Sequence, residues 1–142
     1  MRLYERGFRN GHFALLAVGC LWLMSLMPGG AENSTIQSIV ERVSTEASTL
    51  SEAAHGAQPV VDDVAHKALS LSTTMAKLDP AIQREPDEAS SHADTLKRLA
   101  ADEINLGLAI TSLSDADAGT AKNLIANMAA IADDIKADAS AY

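Results

Sequence analysis

Aromatic rings are scarce in this sequence: two Phe, two Tyr and one Trp among 142 residues. Tyr4, Phe8, Phe13 and Trp22 all precede residue 23, so the remainder carries a single ring, Tyr142. That scarcity removes stacking platforms for bases and sugars, and it forces any core to be built from Ala, Leu, Ile, Val and Met. Cysteine is limited to Cys20, which excludes an internal disulfide framework, a thiol pair for redox work and thiolate metal sites. Positive charge is short as well, with 11 Lys and Arg against 19 Asp and Glu and a net charge of −8. An acidic field of that size repels phosphate backbones, so no nucleic-acid partner is expected. Gly-x-Ser-x-Gly elbows and phosphate-cradling glycine loops are missing too, which argues against an enzyme.

One long apolar run is present, FALLAVGCLWLMSLMPGGA, from Phe13 to Ala31. Arg2, Arg6 and Arg9 outweigh Glu5 ahead of it, giving the cationic start of an export signal. The uncharged stretch to Met27 would span about 22 Å as a helix, short of the roughly 30 Å hydrocarbon core. Pro28 and Gly29 break the helix, and Gly29 and Ala31 put small residues at the minus-three and minus-one positions of a peptidase site. Residues 1–31 are therefore read as a signal peptide cleaved before Glu32, with a retained membrane anchor as the alternative. Ala17-Val18-Gly19-Cys20 also resembles the processing signature of bacterial lipoproteins, which implies lipidation at Cys20 as a third fate. Cleavage would remove three basic residues and one acid, leaving an acidic, Ala-rich domain over 32–142 with a net charge of about −10.

Within that domain Ile36, Val40, Val43, Ala47, Leu50 and Ala54 recur in steps of four and three, predicting a helix over about 34–55. Ser34 and Gln37 supply a capping-box pattern at its start. Gly56 and Pro59 then mark a turn, although the stripe resumes in phase through Val61, Val64, Ala68, Leu71, Met75 and Leu78. The turn favours a second, antiparallel helix over 60–79; the phasing leaves an elongated hairpin or coiled coil as the alternative. Two prolines and a cluster of charges make 79–92 a linker or crossover loop. Leu96, Leu99, Ala100, Ile104 and Leu113 predict a third helix over 90–113, despite period-two alternation from Ile104 to Ile110, because a lone strand would have no partner. A fourth, over 115–138, begins at a capping-box-like Ser114 to Asp117 and carries Ala121, Leu124, Met128, Ile131 and Ile135. The fold class is thus all-α, an up-down-up-down four-helix bundle. In layout it is similar to the periplasmic cytochrome b562 type of bundle, which would imply haem ligands from two helices. Met75 and Met128 fall on core stripes and the last helix has no His, so no cofactor is expected.

Metal chemistry has candidates in Asp62 with His66 and Glu88 with His92, each spaced to share a helix face, and a metal-binding bundle using His55, His66 and His92 is the second functional class. Asp115 and Asp117 lack the downstream bidentate Glu of a calcium loop and read as helix caps. The leading expectation is a non-enzymatic, exported helical protein of the periplasm or exterior, a binding, chaperone-like or assembly factor with a protein partner or self-association. A membrane-anchored envelope component is the third class, membrane contact being expected only if the leader is retained.

Overall fold

The computed structural model describes residues 34–142; the signal-peptide, anchor and Cys20 readings lie outside them. Six helical segments follow one another: α1 Ile36–Ala54, α2 Val61–Ala76, α3 Leu78–Arg84, α4 Pro86–Ser91, α5 Ala93–Ser114 and α6 Ala118–Ser140. Among the described residues there is no strand, and no helix is long and apolar enough to cross a membrane.

The four long helices form the bundle. Each packs on its neighbour in sequence, α1 on α2, α2 on α5 and α5 on α6, and α6 closes the ring against α1. Tight turns at 55–60 and 115–117 reverse the chain, so the order is up-down-up-down. The elongated hairpin is ruled out by the broad α1 to α6 contact, which one continuous kinked helix could not make. Residues Thr35–Tyr142 make one compact unit.

The core is aliphatic throughout. Ile36, Val43, Ala47, Leu50, Val64, Ala68, Leu71, Leu99, Leu106, Met128 and Ile135 are fully buried. Each large aliphatic side chain contributes about 1.5 to 3 kcal/mol through burial. Ala47, Ala68, Ala129 and Ala132, buried at the contacts, leave little side chain between the backbones they face. The whole predicted stripe of α1 is buried, with Ile39 added to it.

Elsewhere the expectations need correction. Thr35 caps α1 in place of Ser34: its hydroxyl accepts from Ser38 N–H at 3.0 Å, and Ser38 returns a contact to Thr35 N–H at 3.1 Å. Two adjacent hydroxyls suit the role equally by type, and each has a side chain three residues on that could answer it, Gln37 for Ser34 and Ser38 for Thr35; the helix begins one residue later than the Gln37 pattern suggests. The expected loop over 79–92 contains α3 and α4. Pro80 and Pro86 sit in their first turns, where a missing N–H leaves no bond unmade. Asp117 caps α6 by accepting from Thr120 N–H at 2.8 Å, so this helix starts at Ala118 and not at 115. Val61 is exposed, and so are Ala100 and Ile104 of the predicted α5 stripe, whereas Leu124 and Ile131 of α6 are only half-buried. In α6, Ile125, Ala129 and Ala132 take the inner positions, because an Ala-rich helix offers several nearly equivalent faces.

Candidate functional site

The two predicted metal pairs meet different fates. Asp62 and His66 are both exposed on α2, where the formed ion pair is Asp63 with Lys67 at 2.6 Å. Glu88, in α4, and His92, the hinge between α4 and α5, do come together: His92 Nε2 lies 3.7 Å from Glu88 Oε1. Their third neighbour is not a ligand side chain from another His or acid but the ring of Tyr142, stacked on His92 at 3.9 Å. The Tyr142 hydroxyl donates to Glu88 Oε1 at 3.0 Å. Partial burial and the Glu88 carboxylate push that phenol up to about 12. The cluster ties the residues just past α6 to the crossover. Among the described residues no group of three or more His, Cys, Asp and Glu converges as a metal cage would require.

His55 closes onto Asp133 across α1 and α6 at 3.0 Å, and Ser51 Oγ donates to the other oxygen of the same carboxylate at 2.6 Å. Ser, His and Asp are thus adjacent, but the order is wrong for nucleophilic catalysis. A triad needs the imidazole between hydroxyl and carboxylate, whereas here Asp133 sits between the other two. The two bonds hold the Asp133 carboxyl below its ordinary range.

The sequence reading missed two acids of α5. Asp102, partly buried against α6, is pushed up to about 7, first by burial and then by the neighbouring Asp138 carboxyl and the charge of Asp134. Its Oδ2 is buried without a hydrogen-bond partner. Arg98 opposes the shift but is engaged elsewhere, donating from Nε to Asp138 Oδ1 at 3.0 Å. Glu103, on the neighbouring flank, is also raised to about 7, by burial and then by Asp79. Proton-binding carboxyls at this range suit acid-base chemistry, yet Asp102 does not line the adjacent groove and nothing converges on it to hold a substrate.

That groove lies along the outer seam of α5 and α6. It has a volume of about 390 Å³ and is bordered by Asn105, Leu108, Ser112, Leu124, Ile131 and Asp134. Beside it Ile104 and Leu108 each leave 56% of their surface in solvent. A smaller hollow of about 270 Å³ separates the start of α1 from the end of α6. The signal that could have marked the α5 face was its second apolar spacing, Ala101, Ile104 and Leu108, out of phase with Leu99, Leu106 and Leu113. Compared with known proteins, the chain matches no family model, no curated protein and no solved structure.

Proposed function

We propose that this protein is an exported, non-enzymatic helical interaction module, a binding or assembly factor of the periplasm or exterior that works through the outer face of α5. The observation that carries the reading is the solvent exposure of Ile104 and Leu108 beside an open, partly apolar groove. A single exposed aliphatic needs no explanation, but two on one helix face beside a groove form a patch of the kind that partners cover. The cationic start and apolar run of residues 1–31 support export. The reversed Ser51, Asp133, His55 order and the absence of an enclosed cavity around Asp102 support a binding role over a catalytic one.

Photoreactive residues placed singly at Ile104, Leu108 and Thr45 in the native host test the surface. Thr45 is exposed on α1 and serves as the reference. Protein adducts at 104 and 108 and none at 45 are expected; equal labelling at all three, or none, overturns the assignment. An intact mass lacking residues 1–31 is the expected result for export with cleavage.

A further inference from the structure

The exposed face of α5 is longer than its two aliphatic residues. Lys97, Ala101, Ile104, Leu108, Thr111 and Asp115 are all exposed and follow one another in steps of four, three, four, three and four. At about 100° per residue they stay within about 40° of one line. This is the spacing of a coiled-coil seam, on the side of the helix facing away from its own bundle. Among the described residues neither Lys97 nor Asp115 has an ion-pair partner, while Arg98, one position away, is spent on Asp138.

The spacing of the stripe is also the same from both directions, and the residues it pairs are complementary. About a midpoint at Leu106, Ile104 mirrors Leu108, Ala101 mirrors Thr111, and Lys97 mirrors Asp115. From this self-complementarity, and resting on the reading of the α5 face as the working surface, we infer that the partner is a second copy of this chain, with the two α5 helices crossing antiparallel about a two-fold axis at Leu106. In that register Ile104 packs on Leu108 of the second copy at the centre. Ala101 and Thr111 flank them and let the backbones approach, and Lys97 at each end meets Asp115 of the second copy. A parallel pairing would set Lys97 on Lys97 and Asp115 on Asp115. For two copies that each carry a net charge of about −10 once residues 1–31 are removed, the paired cation at each end is the feature that makes close approach favourable.

The register is tested in the full chain in its native host, with Cys20→Ser so that only introduced thiols react. Ala101→Cys together with Thr111→Cys is expected to give an oxidised dimer whose linked peptides join 101 to 111, while either thiol alone gives none. Within one helix these positions lie about 15 Å apart, too far for a direct bond. Adding Leu108→Glu should lower the linked fraction about tenfold or more, since it sets carboxylates in the apolar centre. Lys97→Asp should lower it as well, and Lys97→Asp with Asp115→Lys should restore it, which loss of folding could not mimic. Dimers linked 101 to 101, or no dimers with either arrangement, overturn the inference. Photoadducts at 104 and 108 to other proteins, without the 101 to 111 bond, defeat the self-pairing and leave the α5 surface standing; absence of adducts defeats both.

Discussion

α1 and α5 are of similar length and occupy opposite corners of the same ring, yet they divide their residues in opposite ways. In α1 every Ile, Val and Leu is buried and the outward positions are Gln, Glu, Arg, Ser and Thr, with one acid, Glu46, turning a carboxylate oxygen inward without a hydrogen-bond partner. In α5 two carboxyls, Asp102 and Glu103, are drawn inward until they favour their protons, while Ile104 and Leu108 stand outside. A helix that keeps all its large aliphatic side chains inside is explained by folding, that one oxygen apart. One that places acids inward and aliphatics outward carries a stability cost that folding does not account for, and such conflicts concentrate where a protein meets something else.

The sharpest way to break the contrast is to compare Leu50 with Leu108. Leu50→Ala should cost about 3 kcal/mol in denaturant unfolding, because the fully buried site leaves a cavity. Leu108→Glu should leave the stability of the isolated bundle within about 0.5 kcal/mol. Comparable losses for the two would mean that α5 has no free face. Next, Thr35→Ala should cost about 1 kcal/mol by opening the capping box of α1, read as a shift in the unfolding midpoint. The same hydroxyl-to-alanine change at exposed Thr111 should cost less.

The acids of α5 sharpen the comparison through pH. Asp102 and Glu103 bind protons more tightly when folded, at about 7, than at their ordinary values of 3.8 and 4.5. Between those limits the folded state holds more protons, so its stability falls as pH rises and levels off above about 7. Asp117 and Asp133 are shifted the other way and lose stabilisation only as pH falls below 3.8. Thermal melts should therefore peak at about pH 4 to 5, and Asp102→Asn with Glu103→Gln should flatten the decline towards pH 8. A profile that instead rises from pH 5 to 8 would remove the inward placement of the acids. The smallest effect is expected at Tyr142→Phe, which deletes the bond to Glu88 and keeps the stack on His92, for about 0.5 kcal/mol.

Much of the bundle was legible because its signals were strong in their own right. The α1 stripe, the Gly56 to Pro59 reversal and the helical nature of Ile104 to Ile110 follow from period, turn chemistry and the want of a pairing strand. The crossover was harder to read, since Pro80 and Pro86 look like loop markers until their place in a first turn is known. Rotation of α6 was obscured by alanine on several faces, which makes Leu124 and Ile125 equal candidates for the interior. The Glu88 and His92 pairing was visible as a spacing, but Tyr142 joins it from 50 residues beyond His92, and no local pattern announces that. Asp102 and Glu103 read as ordinary surface acids because their burial depends on the packing of α6 and the crossover, not on their own helix.

Glu85 Oε2, at the junction of α3 and α4, accepts from the backbone N–H of Ile36 at 3.1 Å, and the Tyr142 clasp grips the same crossover. Both extremities of the folded unit are thereby fastened at one pole, while the other pole holds only two short bends. A pull applied through those extremities would be resisted there in shear-free, zipper-like fashion, one contact at a time. The bundle should then yield gradually under tension, whereas heating, which loads every contact at once, should unfold it in a single cooperative step.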